Sequence, residues 1–377
     1  MKENPLLKLS AFGQSIWLDY IRRQMIDAGE LKRLIDDDGL QGVTSNPAIF
    51  QKAIAGSTDY DEAIRTLVQA GKSVEAIYQV LTVEDVQRAA DLFRPLYDRM
   101  AGQDGFVSLE VNPHLAQDTQ GTLAEARRLW QALARPNVLI KVPATREGLP
   151  AIRQLISEGI NVNVTLLFGL PRYREVAEAY IAGLEARAAQ DQPLNRVASV
   201  ASFFLSRIDV LLDPKLEKLA AAGGPQAQTA RDLVGQVAIA SAREAYRIYR
   251  EIFGSARFQK LAGARPQRLL WASTSTKNPA YPDVKYVEPL IGPDTVNTLP
   301  PETLEAYRDH GEPAARLTEG GDRAAGSLAR LSELGLDLDQ ATQQLEDEGV
   351  EKFNQPFDSL MATLEAKGRE VRPAGKS

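Results

Sequence analysis

Residues 137–145, NVLIKVPAT, place a lysine at the centre of a short apolar run. The run is mostly β-branched and ends at Pro143, a pattern typical of a buried parallel strand. A lysine is rarely buried unless another group pairs with it. The stretch therefore predicts an interior strand that carries Lys141 for a chemical reason.

Other short apolar runs lie on both sides of this strand. We predict strands at SIWLD (15–19), LQGVTS (40–45), FVSLEV (106–111), VLIKV (138–142), INVNVTLLF (160–168), VASVASF (197–203), RLLWAS (268–273) and KYVEPL (285–290). Helical patterns lie between most of them, for example at 123–133, 150–158 and 173–188. Eight strands that alternate with helices predict an α/β fold, a closed (β/α)₈ TIM barrel.

Two helical stretches exceed the minimal barrel repeat. Residues 47–104 form a helical insertion after the second predicted strand, and a helical extension begins at about residue 314. The final residues, 367–377, have the composition of a frayed end. We expect a single domain over residues 1–377, because one α/β barrel commonly occupies about 250 residues before insertions.

The composition excludes several classes of function. A formal net charge of −6 disfavours nucleic-acid binding. The chain has no cysteine and two histidines, His114 and His310, so a metal site, a cysteine nucleophile and a Ser-His-Asp triad are all disfavoured. We expect no metal and no cofactor. The sequence shows no signal peptide and no membrane span, which predicts a cytoplasmic protein.

Polar residues recur at the carboxyl ends of the predicted strands, where barrel enzymes place their chemistry. These residues are Asp19, Asn46, Glu110, Lys141, Asn163, Thr165 and Ser202. Since parallel strands of a closed barrel end at one mouth, we expect these side chains to converge there.

Several of these residues have a purely structural alternative. Lys141 and Glu110 could form a buried ion pair, and Asp19 could cap a following helix. Asn46 before a proline suits an Asx turn, and Thr165 is a good strand former. No single residue decides between structure and catalysis, but their convergence favours catalysis.

An apolar environment suits a nucleophilic lysine. A neutral amine attacks a carbonyl to form a Schiff base, and the protonated imine then withdraws electrons from the substrate. A free lysine has a pKa of about 10.4 and is almost fully protonated at pH 7. Burial favours the neutral amine, so the apolar strand that makes Lys141 unusual also suits it for this chemistry.

The sequence resembles the transaldolase family over residues 5 to 360. The resemblance lies in WLDYIRR, GVTSNPAIF, VSLEVNP, VLIKVPAT, INVNVTLLF and ASFFLSRIDVLLD, which occur in the family's order. The family consists of cofactor-free Schiff-base enzymes of the non-oxidative pentose phosphate pathway. They transfer a dihydroxyacetone unit from sedoheptulose 7-phosphate or fructose 6-phosphate to an aldose phosphate.

The resemblance implies a role for each matching residue. Lys141 matches the Schiff-base lysine, and Asp19 the carboxylate that takes the proton of the C4 hydroxyl. Glu110 and Thr165 match the pair that holds a catalytic water. The residues that match those contacting the three-carbon unit are Asn46, Asn163, Ser202 and the aromatic Phe204.

The implied phosphate site departs from the family pattern. Arg207 and Ser273 match phosphate-binding residues, although Arg207 could also be a solvated helix arginine paired with an acid. Where better-known members have a second arginine, this chain has Ser275. Lys277 could supply the missing charge, although a lysine matches a phosphate less well than the planar fork of an arginine.

Two other functions remain open. One is a lysine-dependent aldolase similar to fructose-6-phosphate aldolase, and the other is a non-catalytic barrel that binds sugar phosphates. Both readings name sugar phosphates as ligands, with no nucleic acid and no membrane as partner. The sequence does not fix the oligomeric state, so a homo-oligomer also remains open.

Overall fold

The computed structural model describes residues 4–371, in which eight parallel strands close into one barrel. The strands are β1 Gln14–Leu18, β2 Gly42–Val43, β3 Phe106–Glu110, β4 Val138–Pro143, β5 Val162–Leu167, β6 Ser199–Phe204, β7 Arg268–Ala272 and β8 Thr295–Leu299. They lie in chain order around the barrel, and β1 closes it by pairing with β8. The predicted (β/α)₈ TIM barrel is confirmed.

Helices surround the strands and complete the described part of the chain. They are α1 Pro5–Lys8, α2 Arg23–Asp27, α3 Glu30–Asp37, α4 Pro47–Ala55, α5 Asp61–Gln69, α6 Val74–Arg99, α7 Thr119–Leu133, α8 Gly148–Glu158, α9 Leu170–Ala188, α10 Ser206–Ala222, α11 Ala227–Leu233, α12 Val237–Phe253, α13 Ala256–Gln259, α14 Pro301–His310, α15 Gly321–Glu333 and α16 Leu338–Val371. None of those in residues 4–371 is long and apolar enough to cross a membrane.

The two predicted additions to the barrel are present. Helices α4, α5 and α6 form the insertion between β2 and β3, and α15 and α16 form the extension after the barrel. The prediction of a frayed end was wrong for residues 367–371, which continue α16, because apolar side chains such as Leu364 anchor the preceding turn. Residues 372–377 lie outside the described part of the chain.

The eighth strand was predicted in the wrong place. Residues 285–290 form turns and a short 3₁₀ helix, Glu288–Leu290, whereas β8 is Thr295–Leu299. The segment imitates a strand because its apolar side chains, such as Val287 and Leu290, are buried. Pro289 lacks the N–H that a central strand would need, so the pairing with β1 and β7 falls to TVNTL instead.

The shortest strand, β2, fits against β1 because it begins with a glycine. A Cβ added at Gly42 would lie 2.6 Å from the indole ring of Trp17 and 2.8 Å from the carbonyl oxygen of Phe106. The missing side chain therefore lets the backbone of β2 approach both neighbouring strands. This close approach aligns the segment after β2 with the ends of β1 and β3, where the polar side chains lie.

Candidate active site

Lys141 lies on β4 with its side chain almost completely buried. Its Nζ donates a hydrogen bond of 2.9 Å to the carbonyl oxygen of Ser45 and lies 3.1 Å from Oε2 of Glu110. The two residues are opposed because β3 and β4 pair Glu110 with Lys141 in register. The contact between Lys141 and Glu110 that the sequence suggested as a structural ion pair is therefore present. Whether the pair is also suited to catalysis depends on the groups around it.

Glu110 and Thr165 have unused hydrogen-bonding capacity beside the amine. Both carboxylate oxygens of Glu110 and the hydroxyl of Thr165 are buried. Within residues 4–371, none of these three atoms has a well-directed hydrogen-bond partner. The contact between Glu110 and Lys141 is thus close in distance but poorly directed. Burial raises the pKa of Glu110, and the charge of Lys141 opposes that rise. A buried polar group without a partner is costly, so the pair is suited to hold a water or a substrate hydroxyl.

Asp19 follows β1 and faces the same space. Its Oδ1 accepts a 2.7 Å hydrogen bond from the hydroxyl of Thr44, whose oxygen lies 2.7 Å from that of Thr298. Burial raises the pKa of Asp19, while the charge of Lys141 and the hydrogen bond from Thr44 oppose the rise. The helix-capping alternative for Asp19 was wrong, because α2 begins only at Arg23.

Asn46 has both a local structural role and a place in the site. Its Oδ1 accepts a 3.0 Å hydrogen bond from the backbone N–H of Ile49, which caps the N-terminus of α4. The expected local turn is therefore present in the form of a helix cap. The residue also lines the cavity above Lys141, so the cap fixes its position there.

Asn163 and Ser202 form a hydrogen-bonded pair next to the lysine. The hydroxyl of Ser202 donates to Oδ1 of Asn163 at 2.7 Å, and Nδ2 of Asn163 donates to the hydroxyl of Ser108 at 3.1 Å. Asn163 lies directly beside Lys141 across β4 and β5. These bonds fix the amide of Asn163 in one orientation.

A cavity of about 470 Å³ opens above these groups at the carboxyl ends of the strands. Of the residues selected from the sequence, those that line it are Asp19, Asn46, Lys141, Thr165, Ser202, Phe204, Arg207, Ser273 and Lys277. Glu110 and Asn163 lie beneath its floor as strand neighbours of Lys141. All the candidate residues are therefore brought together in one place.

Arg207 lies at one side of this cavity, at the start of α10. Its guanidinium carbon lies 5.5 Å from the centre of the Phe204 ring, and Phe204 in turn packs against Phe168 at 5.1 Å. Nη1 of Arg207 is buried and has no hydrogen-bond partner within residues 4–371. Burial also lowers the pKa of Arg207. Arg207 is therefore partly buried and not fully solvated, although the charge of one acid, Glu348, acts on it.

Ser273 and Lys277 lie near Arg207 on the segment that follows β7. Ser273 adopts a left-handed backbone with φ 53°, and its hydroxyl lies 2.8 Å from that of Ser206 at the start of α10. The exposed amine of Lys277 contacts the hydroxyl of Ser275. A lysine and a serine thus lie together where the family pattern has an arginine.

Sequence reasoning missed several residues that contact the site, four of which have a contact that bears on the chemistry. Thr44 and Ser45 lay inside a quoted motif but were not selected, and Thr298 was missed because β8 was misplaced. The fourth is Phe353 of α16, whose ring centre lies 5.8 Å from Nζ of Lys141. No local sequence signal links Phe353 to Lys141, because the two are far apart in the chain.

Among the described residues, no group of three or more His, Cys, Asp or Glu side chains could hold a metal ion.

Comparisons with known proteins agree with this geometry. Residues 16–364 match the profile of the family described as transaldolase/fructose-6-phosphate aldolase. A transaldolase of Trichodesmium erythraeum is 48% identical over 379 residues, covering 99% of this chain and 100% of its own length. Transaldolase 2 of a Nostoc species is also 48% identical, with the same coverage, and the transaldolase of Thermobifida fusca is 47% identical over 95% of this chain and 96% of its own. The chain therefore belongs to the transaldolase/fructose-6-phosphate aldolase family and is an enzyme of this type.

Proposed function

We propose that this enzyme transfers a dihydroxyacetone unit between sugar phosphates through a Schiff base on Lys141. The donors are sedoheptulose 7-phosphate or fructose 6-phosphate, and the acceptors are glyceraldehyde 3-phosphate or erythrose 4-phosphate, as in the non-oxidative pentose phosphate pathway. The observation that carries the proposal is the buried amine of Lys141 on the floor of a cavity, in contact with Glu110 and together with Thr165, whose buried oxygens have no hydrogen-bond partner within residues 4–371. The reaction needs no cofactor.

The first step joins Lys141 to the donor ketone. The neutral amine attacks C2, and the resulting carbinolamine loses water to give the imine. This step needs a group that gives and takes protons at the reacting nitrogen and oxygen. A water held between the carboxylate of Glu110 and the hydroxyl of Thr165 meets that need. Glu110 contacts Nζ, Thr165 lines the same cavity, and the oxygens of both side chains are buried without a hydrogen bond in the described structure.

The second step breaks the bond between C3 and C4 of the donor. Asp19 removes the proton of the C4 hydroxyl, the C–C bond breaks, and the protonated imine takes up the electron pair as an enamine. The aldose phosphate leaves, and the acceptor aldehyde then forms the new bond by the reverse sequence. The amide and hydroxyl groups of Asn46, Asn163 and Ser202 hold the hydroxyls of the three-carbon unit in the interval.

Arg207, Ser273 and Lys277 bind the phosphate of the sugar. The buried Nη1 of Arg207 lacks a partner in the described structure, which suits it to receive a phosphate oxygen. Ser273 lies close to the N-terminus of α10, where backbone N–H groups favour an anion. Lys277 adds a mobile point charge at the rim.

Reduction with borohydride tests the covalent step directly. Incubation with fructose 6-phosphate and borohydride should add a reduced dihydroxyacetone unit to Lys141, which peptide mass spectrometry locates. Lys141→Arg is the matched control, because arginine keeps the positive charge but cannot form the imine. It should fold normally, take up no adduct and show no transfer. A parent enzyme that gains no mass would contradict the proposal and favour a non-catalytic barrel.

Whether turnover needs an acceptor sugar distinguishes a transaldolase from the aldolase alternative. A transaldolase turns over fructose 6-phosphate rapidly only when erythrose 4-phosphate is present, whereas an aldolase releases dihydroxyacetone without it. The relatives named transaldolase, at 47–48% identity over nearly the whole chain, support the first reading. The residue roles, the single-domain organisation, the cytoplasmic location and the oligomeric state stay predictions.

A further inference from the structure

Helix α16 crosses the mouth of the barrel and covers Lys141. At its N-terminal part, Glu346 forms an ion pair of 3.2 Å with Arg172 of α9, and both side chains are less than a tenth exposed. Near its C-terminal part, Lys367 pairs with Asp61 of α5. The helix is therefore fixed both on the β5 side of the barrel and on the insertion after β2.

The middle of α16 lies over the active-site cavity. Phe353 lines that cavity and is 5% exposed, and its ring centre is 5.8 Å from Nζ of Lys141. One helical turn further on, the ring of Phe357 packs instead edge-on against Tyr78 at 5.3 Å and His114 at 5.8 Å, outside this cavity. Of these two aromatic residues of one helix, only Phe353 faces the reacting nitrogen.

We propose that Phe353 shields the covalent intermediate on Lys141 from water, so that the three-carbon unit is passed to an acceptor and not released. The ring supplies apolar surface on the side of Nζ that faces the cavity. The polar neighbours of Nζ are the carbonyl oxygen of Ser45 and the carboxylate of Glu110. The inference rests on the proposed function, because it concerns the fate of the Schiff-base intermediate.

The reaction that Phe353 suppresses consumes one water. The enamine left after aldol cleavage takes a proton at its carbon and becomes the protonated imine of dihydroxyacetone. Water then adds to C2, a proton passes to nitrogen, and the C–N bond breaks. The sum is enamine plus water giving dihydroxyacetone and free lysine. Transfer also ends in hydrolysis of an imine and consumes one water, but only after the enamine carbon has attacked an aldehyde. The two fates therefore divide at the enamine carbon. An apolar cover lowers the access of water, and of the protons it carries, to that carbon, and a ring face near the nitrogen stabilises the cationic imine.

A series of Phe353 variants tests this role. Phe353→Leu, Phe353→Val and Phe353→Ala progressively reduce the apolar cover, and the measured quantity is the ratio of dihydroxyacetone released to transfer product formed from fructose 6-phosphate and erythrose 4-phosphate. We expect the ratio to rise in that order, by roughly three- to tenfold for alanine. Phe357→Leu removes a ring from the same helix outside the cavity and should leave the ratio unchanged. If the alanine variant does not fold, the leucine and valine variants still rank the effect.

Borohydride trapping separates failure of this inference from failure of the proposed function. A parent enzyme that forms no adduct on Lys141 would overturn both. An adduct that forms normally in the Phe353 variants, with a release-to-transfer ratio equal to that of the parent, would overturn only the role of Phe353. An equal rise in the Phe357→Leu control would do the same, because the effect would then come from looser packing of α16.

Discussion

A single hydroxyl proton connects Thr44 to the carboxylate of Asp19, the proposed base. The hydroxyl of Thr44 donates to Asp19, so the proton shared with Thr298 must come from Thr298. Burial raises the pKa of Asp19, and the bond from Thr44 opposes that rise. Thr44→Val should therefore raise the pKa of Asp19 further and move the acid limb of kcat/KM to higher pH, because Asp19 acts as a base only when ionised. The measurement is the pH profile of kcat/KM for fructose 6-phosphate.

Thr298→Val provides the matched control. This substitution removes the hydroxyl of Thr298 from the same network but leaves the hydroxyl of Thr44, the donor to Asp19, in place. The acid limb should move less than in Thr44→Val. Equal displacement in the two variants would show that the pair acts only through packing, and an unmoved limb in Thr44→Val would exclude Asp19 as the group that sets it.

Arg207 and Lys277 are the two cations of the proposed phosphate site, and they differ in shape and exposure. Arg207→Ala and Lys277→Ala should each raise KM more than they lower kcat, because a remote phosphate is held alike in ground and transition states. Loss of one charge-assisted contact should cost roughly 1.5–3 kcal/mol, or about ten- to a hundredfold in kcat/KM. Arg207 should be the costlier loss, because its planar fork binds two oxygens and its Nη1 is buried without a partner in the described structure.

Sulfate inhibition gives an independent measurement of the same contacts. Sulfate should inhibit the parent enzyme more than either variant, since it competes for the phosphate site. If Lys277→Ala leaves both KM and sulfate inhibition unchanged, Lys277 is an exposed loop lysine that does not bind the phosphate. The phosphate is then bound by Arg207, Ser273 and backbone N–H groups.

Helix α10 and the segment after β7 are joined by a buried carboxylate network. Asp209 accepts hydrogen bonds from Ala238 N–H and from the hydroxyl of Tyr286, both at 2.8 Å. The hydroxyl of Tyr281 donates to Asp213 at 2.7 Å one turn further along α10. These bonds hold the segment that carries Ser273 and Lys277 against the helix that carries Arg207. The network therefore positions the proposed phosphate site.

The network predicts that the stability of the folded protein decreases as the pH rises. Burial raises the pKa of Asp209 from 3.8 to about 6. Between these values the folded protein holds a proton that the unfolded chain releases, so stability falls as pH rises and is lower by about 3 kcal/mol above pH 6. Asp209→Asn imitates the protonated side chain and should remove this slope. Urea unfolding at several pH values from 4 to 7 measures it, and parallel curves for parent and variant would contradict the assignment.

Closure of the barrel depends on the contact between β1 and β2. A Cβ at Gly42 would lie 2.6 Å from the Trp17 ring and 2.8 Å from a backbone oxygen of β3. Because the backbone oxygen cannot move away independently, Gly42→Ala should destabilise the fold by roughly 1–3 kcal/mol. The free energy of unfolding in urea measures this loss.

Gly326→Ala is the matched control for that substitution. Gly326 lies on the exposed surface of α15, and a Cβ there would meet no atom within 4 Å. Alanine should stabilise that helix by about 0.5–1 kcal/mol, because glycine is a poor helix former. Destabilisation by both substitutions would show that steric closure at β2 is not the cause.

The barrel itself and the position of its buried lysine follow from local sequence patterns. Buried parallel strands are continuous apolar runs, and a polar residue within such a run stands out, as Lys141 does within VLIKV. The misplacement of β8 shows the limit of the same signal, because KYVEPL is as apolar as a strand but is buried in turns. The extension after the barrel was recognised as helical, but its sequence did not predict which part of the barrel the helices would pack against.

By itself, the sequence determined the α/β barrel, its insertion and extension, and the polar residues at the carboxyl ends of its strands, since each is a matter of local periodicity or of the end of a strand. The choice of Phe204, Arg207, Ser273 and Lys277 came instead from the resemblance to a family. Only the tertiary structure decided that α16 returns across the mouth, that Phe353 lies over Lys141, and that the hydroxyl of Thr44 meets Asp19. The physical reason is the range of the interactions. Local patterns fix which face of an element is buried, whereas contacts between distant elements depend on how all of them pack around one core.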